Sequence, residues 1–104
     1  MRLTYSLILP TCNRPELVRD FLPSLEKQTV PPAEVIVVDQ SDDKETRDVF
    51  EGWNPAGMDK KYVYQKTKSL ILARNRGLDV CGQTDLVAFF DDDVLLDPRY
   101  CEEL

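Results

Sequence analysis

The chain contains no histidine, and its three cysteines (Cys12, Cys81 and Cys101) are odd in number and far apart. No C-x-x-C pair occurs. A zinc site built from His and Cys is therefore not expected, and the cysteines read as plain thiols in a reduced compartment. Basic residues are also scarce. Thirteen Lys and Arg stand against 19 Asp and Glu, a net charge of −6 and a pI of about 4.6. A nucleic-acid partner needs a basic face, so none is expected, although a nucleotide held through a bridging metal stays open. No apolar run is long enough to span a bilayer. The segment Met1 to Tyr5 lacks the apolar core and cleavage site of a signal peptide, and a cytoplasmic location is expected. No G-x-x-x-x-G-K-[ST] occurs. That removes a phosphoryl-transfer ATPase, although Leu86 to Asp92 mimics a Walker B strand. Internal repeats, low-complexity segments and interdomain linkers are absent as well. At 104 residues the chain is one domain or part of one, with a modest core.

What is present centres on Leu86-Val87-Ala88-Phe89-Phe90-Asp91-Asp92-Asp93. The apolar run lacks polar alternation, as in a strand buried on both faces of a parallel sheet. Such a strand delivers the residues after it to the carboxyl edge of the sheet, where ligands of open α/β folds bind. Here those residues are three carboxylates. They repel one another unless a cation or water separates them, and hard oxygen donors suit Mg²⁺, Mn²⁺ or Ca²⁺. An acidic turn on a solvated loop is the plainer alternative.

The remaining elements read in order. Tyr5 to Pro10 is a first strand. Asn13 and Glu16 resemble a capping box, and Pro15 suits the first turn of a helix. Leu17, Val18, Phe21, Leu22 and Leu25 share one face of that helix. Pro23 costs about 3 kcal/mol inside a helix and predicts a kink or an early turn. Glu34 to Asp39 is a second strand, and Ser41 opens a second helix running to about Trp53. Tyr62 to Tyr64 is a short third strand. Ser69 to about Val80 is a third helix, with Leu70, Leu72, Ala73, Gly77 and Leu78 expected to pack inward and Gly82 as terminator. Leu86 to Asp91 is the fourth strand, and Asp97-Pro98 begins a last helix.

This β-α-β-α-β-α-β order predicts an α/β fold: a Rossmann-like open sheet, mostly parallel, with helices on both faces and right-handed crossovers. A strand order of 3-2-1-4 would make Thr11 to Arg14 and Asp91 to Asp93 face each other across the switch point, with Asp39 just beyond. Such a crevice suits a diphosphate bridged to a metal by Asp93, with Asp39, Asp91 and Asp92 accepting from ribose or base. Arg74 and Arg76 supply cations nearby. Each residue has a plainer reading too: Arg74 as a solvated helix face, Asp39 as a turn-forming acid, Thr11 and Asn13 as helix caps.

Four stretches carry a family resemblance in order and spacing. They are Ser6-Leu7-Ile8-Leu9-Pro10-Thr11-Cys12-Asn13-Arg14, Glu34-Val35-Ile36-Val37-Val38-Asp39-Gln40-Ser41, Leu72-Ala73-Arg74-Asn75-Arg76-Gly77 and Phe89-Phe90-Asp91-Asp92-Asp93. The chain resembles the N-terminal, nucleotide-sugar-binding half of a family-2 glycosyltransferase of the GT-A fold, over nearly its whole length. The resemblance implies that Pro10, Thr11, Asn13 and Arg14 contact the nucleotide and Asp39 the base. It places Arg74 beside the diphosphate. It also implies a D-x-D element in which Asp91 and Asp92 bind ribose and metal, with Asp93 the direct ligand of Mn²⁺ or Mg²⁺. Two departures stand out. Cys12 replaces a common aromatic, and Gln40-Ser41 replaces the more usual acid-Gly-Ser.

By the same resemblance the activity is metal-dependent, inverting transfer of a sugar from a UDP-, dTDP- or GDP-sugar to a glycan, lipid-linked or other hydroxyl acceptor. The expected location then extends to the cytoplasmic face of a membrane. The acceptor site and catalytic base are expected in a half beyond residue 104. The isolated chain is expected to be inactive and prone to self-association. A non-catalytic nucleotide-binding or regulatory fragment of the same fold is the alternative.

Overall fold

A computed structural model of the chain describes residues 3–89. Seven elements succeed one another: β1 (Tyr5–Thr11), α1 (Pro15–Glu26), β2 (Glu34–Asp39), α2 (Glu45–Gly52), β3 (Asp59–Tyr64), α3 (Leu70–Val80) and β4 (Leu86–Phe89). The strands form one sheet in the order β3-β2-β1-β4, and every pairing is parallel. The expected Rossmann-like α/β order is therefore the observed one.

Strands β1 and β2 lie in the middle of the sheet, and every residue of both is buried. Alternate side chains divide between two cores, as the pleat requires. Leu7, Leu9, Val35 and Val37 meet Val18, Phe21, Leu22 and Leu25 of α1 and Phe50 of α2. On the other face Ile8, Ile36 and Val38 meet Ala73 of α3. The two faces are packed differently. Large side chains fill the first, whereas α3 presents only Ala73 and Gly77 to the sheet. A Cβ on Gly77 would lie 2.5 Å from Ile8 Cγ2, so the absent side chain is what lets α3 settle onto β1.

That close approach corrects one expectation. Leu70, Leu72 and Leu78 do not pack inward; they are 48%, 39% and 43% exposed. The helix turns its small-residue face to the sheet because its larger one would not fit. The fourth strand also differs from expectation. Expected to be buried on both faces, it pairs with β1 alone among the described residues, α3 packs over β1 and β2 instead, and Leu86, Val87 and Phe89 are partly exposed.

Other local expectations change for identifiable reasons. No capping box forms on α1. Its N-cap is Arg14, with no side-chain cap bond, because the Asn13 side chain is engaged with Asp42. The helix continues past Pro23 to Glu26. Pro23 is exposed, so water can satisfy the carbonyl it orphans. Helix α2 begins at Glu45, not Ser41, since Ser41 and Asp42 serve the loop before it. Lys60 Nζ donates to the carbonyls of Phe50 at 2.9 Å and Glu51 at 3.0 Å and closes its far end. Strand β3 starts at Asp59, paired with β2 along its full length. Ser69, expected as the first residue of α3, is its N-cap and accepts from Leu72 N–H at 3.2 Å. Gly82 is not a left-handed terminator; its N–H donates to the Glu34 carboxylate.

Candidate functional site at the carboxyl edge of the sheet

The parallel register sets the site. Thr11 pairs with Asp39 and Asp39 with Tyr64, so β1, β2 and β3 end level with one another. The three loops after them therefore emerge side by side.

Asp39 is fully buried at this edge. Its Oδ1 accepts from Ser41 N–H at 2.9 Å, and its Oδ2 accepts from the Tyr62 hydroxyl at 2.6 Å. Burial, together with the bond to Asp39 and the charge of Asp39, pushes the Tyr62 hydroxyl well above the ordinary tyrosine range. Gln40 N–H donates to the Thr11 carbonyl at 2.8 Å and carries the pairing one residue past the strands.

Asn13 joins the first and second loops. It adopts a left-handed φ of 54°, a conformation Asn tolerates better than most residues. Its N–H donates to Ser41 Oγ at 2.8 Å. Its side chain makes a two-way bond with Asp42: Nδ2 donates to the carboxylate, and Oδ1 accepts from Asp42 N–H, both at 2.9 Å. Lys68, from the third loop, donates to the other Asp42 oxygen. Bonds from Lys68 and Asn13 hold the Asp42 carboxyl below its usual range, and the bond to Asp42 raises Lys68 in turn. Both side chains are exposed, so the pair organises the loops more than it stabilises the fold.

Arg74 stands in the second turn of α3 with its guanidinium carbon 5.6 Å from the centre of the Phe89 ring. The cation is thus held over the last described residue of β4. Pro10 is buried near the end of β1, and Arg14 opens α1. Asp91, Asp92 and Asp93 lie outside the described residues, as do Asp97 and Pro98. Of the residues expected at the site, the fold thus brings the ends of Pro10-Thr11, Asn13-Arg14 and Asp39 to one edge. Among the described residues no cluster of three metal-ligating side chains occurs.

Sequence reasoning missed Ser41, Asp42, Tyr62, Gln65 and Lys68 as partners at this edge. Gln40-Ser41 stood out only as a departure from a pattern, and Tyr62 only as a strand residue. A cavity of about 360 Å³ opens beside them, lined by Ser41, Asp42, Asp43, Lys44, Arg47 and Tyr62 among others. A larger groove of about 770 Å³ runs between α1 and α2. Its walls carry Glu16, Glu45 and Asp48 against Arg19 alone, an excess of negative charge that the strand-edge cavity, with two acids and two bases, does not have, so the strand edge is the better candidate for a phosphate-bearing ligand.

Glycosyl transferase family 2 matches residues 6–104. The chain belongs to that family. Among similar family members, a putative glycosyltransferase, EpsH, from Bacillus subtilis (strain 168) is 30% identical over 101 residues, 95% of this chain and 28% of EpsH. Validoxylamine A glucosyltransferase from Streptomyces hygroscopicus subsp. limoneus is 34% identical over 103 residues, 95% of this chain and 22% of the relative. The chain thus spans under a third of the length of these relatives.

Solved structures agree. S. aureus TarS 1–349 in complex with UDP-GlcNAc superposes with a TM-score of 0.79 at 28% identity, over 97% of this chain and 30% of that one. The mannosyltransferase PcManGT from Pyrobaculum calidifontis, in complex with GDP-Man and Mn²⁺, gives a TM-score of 0.84 at 23% identity, over 95% of this chain and 30% of that one. At that identity the second likeness is one of fold. The parallel α/β sheet is that of GT-A glycosyltransferases.

Proposed function

We propose that this chain is the donor-binding part of a metal-dependent, inverting glycosyltransferase, residues 1–104 being the N-terminal part of one GT-A domain. The observation that carries this reading is the convergence of Thr11, Asn13 and Asp39 on one sheet edge, with Arg74 held over the end of β4. The donor is a nucleotide-diphosphate sugar with UDP, dTDP or GDP as its nucleotide. The complex of TarS with UDP-GlcNAc supports that ligand class. Pro10, Thr11, Asn13 and Arg14 contact the nucleotide, and Asp39 supplies negative charge at the base. Arg74 faces the diphosphate.

Asp91, Asp92 and Asp93 provide hard oxygen donors, which suit Mn²⁺ or Mg²⁺, with Asp93 and Asp91 the metal ligands and Asp91 and Asp92 at the ribose. When bound, the metal offsets charge on the departing nucleoside diphosphate. A general base from outside these residues takes the proton of the acceptor hydroxyl, on a glycan or lipid-linked acceptor at the cytoplasmic face of a membrane. The isolated 104-residue chain transfers no sugar. With Leu70, Ile71 and Leu78 exposed on α3, and Val87 and Phe89 on β4, it self-associates.

Calorimetry on the complete natural protein tests the reading, with UDP, dTDP, GDP and UDP-GlcNAc titrated with and without Mn²⁺. The expected result is metal-dependent binding of at least one diphosphate, weakened about tenfold by Asp39→Asn. Asn is preferred to Ala because its amide can keep both neighbours paired, Oδ1 accepting from Ser41 N–H and Nδ2 donating to the Tyr62 hydroxyl oxygen. Unchanged affinity in Asp39→Asn would reject the role of Asp39, and unchanged affinity in Asp93→Ala would reject that of Asp93.

A further inference from the structure

Between the carboxyl end of β2 and the start of α3 lie two buried carboxamides that the donor site does not account for. Gln40 is 7% exposed and Gln65 3%. Gln40 Oε1 accepts from Ser69 N–H at 2.7 Å and from Gln65 Nε2 at 3.3 Å. Gln65 Nε2 also donates toward the carbonyls of Thr67 at 2.7 Å and Ser69 at 3.2 Å. Three oxygens around this one nitrogen settle its orientation, because a flipped amide would set oxygen against oxygen. Gln65 Oε1 is then buried without a hydrogen-bond partner among the described residues.

The clamp grips Ser69, the N-cap of α3. Arg74 lies little more than one turn further on. Helix α3 buries only Ala73 and Gly77 against the sheet, its leucines face outward, and its other polar ties, Lys61 to the Val80 carbonyl and Gly82 N–H to Glu34, sit at its far end. Little apolar burial resists a tilt of its first turns, so the polar bonds at Ser69 fix where the side chains of that end, Arg74 among them, stand.

We propose that Gln40 and Gln65 are positioning residues for the donor diphosphate: by bolting the start of α3 to the end of β2, they set the place of the Arg74 guanidinium beside β4. This inference rests on the donor-site reading above. It also gives Gln40, the departure from acid-Gly-Ser, a specific task.

A double-mutant cycle tests it on the complete natural protein with Mn²⁺, using whichever of UDP, dTDP or GDP binds the wild type, and the matching nucleoside. Gln40→Met removes the acceptor at similar length. It should weaken the diphosphate about tenfold and leave the nucleoside unchanged. Gln40→Glu keeps an acceptor for Ser69 and Gln65, and should retain most of the affinity. Gln40→Met combined with Arg74→Ala should bind the diphosphate no more weakly than Arg74→Ala alone. If Gln40→Met does not fold, Gln65→Met takes its place in the same cycle. Additive losses, or an equal loss for the nucleoside, would overturn the positioning role while the donor site stands. Failure of every diphosphate to bind the wild type would instead overturn the donor site, and this inference with it.

Discussion

Glu34 and Asp39 stand at opposite ends of β2, six residues long, and both are buried. Glu34, at the amino edge, accepts from Ser6 Oγ at 2.7 Å and from Gly82 N–H, and lies 3.0 Å from Lys61 Nζ. Lys61 in turn donates to the Val80 carbonyl at 2.7 Å. One acid thus ties β1, β3 and the end of α3 together, with a cation beside it. Asp39, at the carboxyl edge, is held by two neutral donors, Ser41 N–H and the Tyr62 hydroxyl. The contrast separates two uses of a buried carboxylate. The charge at Glu34 is answered within the fold, whereas that at Asp39 is fixed in place and left to act on its surroundings.

The largest expected effect comes from breaking the amino edge. Glu34→Ala leaves Gly82 N–H without its acceptor and Lys61 without its counter-charge, and should cost about 3 kcal/mol by denaturant unfolding. Nucleotide affinity should be unchanged in the fraction that remains folded. A loss of affinity as large as that from Asp39→Asn would erase the contrast.

Gly77→Ala comes next, and it reaches both edges. Helix α3 starts at the Gln40 clamp and ends beside Glu34, so lifting it off Ile8 disturbs both ends. Overpacking of this kind costs about 1–3 kcal/mol, measured as a shift in urea midpoint. Because Ile8 Cγ2 is a buried branch atom, it cannot swing aside. Diphosphate binding should weaken together with stability, unlike in Glu34→Ala.

The pH dependence of melting gives a smaller effect that distinguishes the two ends. Burial pushes the Glu34 carboxyl up, but bonds from Ser6, Gly82 and Lys61 outweigh it and leave its pKa lowered. Its contribution is therefore fully present above the ordinary glutamate value of about 4.3, and is lost as pH falls through the folded value. Tyr62 is raised. Its contribution is present below the ordinary tyrosine value of about 10, and is lost as pH rises through the folded value. Glu34→Gln should flatten the acid limb of a melting-temperature profile, and Tyr62→Phe the alkaline limb. If either substitution flattens the other limb, the assignment of ends is wrong.

How far these features could be read beforehand depends on their range along the chain. The alternation of strand and helix patterns was enough to imply a parallel sheet in the Rossmann-like order 3-2-1-4, and the unbroken apolar runs Leu7 to Leu9 and Val35 to Val38 marked two of its strands. The start of α3 at Ser69 was legible because the residues that set it lie within one turn of each other. The partners of Asn13, Asp39 and Gln40 were not, since Asp42, Tyr62 and Ser69 lie more than twenty residues from them and no local spacing encodes them. Helix α3 was misread for a different reason. Periodicity assumes that the most apolar face goes inward, but the distance to the sheet is set here by the Gly77–Ile8 contact, which admits only the small face. The acids Asp91 to Asp93 were the clearest signal in the sequence, and they lie outside the described residues.

Amide hydrogen exchange on the complete natural protein tests the central claim most directly. Exchange is measured with and without the nucleoside diphosphate that calorimetry selects, in the presence of Mg²⁺. The account predicts added protection in peptides covering residues 10–14, 39–43 and 69–75, with none in those covering residues 80–86 at the amino edge. Protection confined to the amino edge or to the groove between α1 and α2, with the carboxyl edge unchanged, would contradict it.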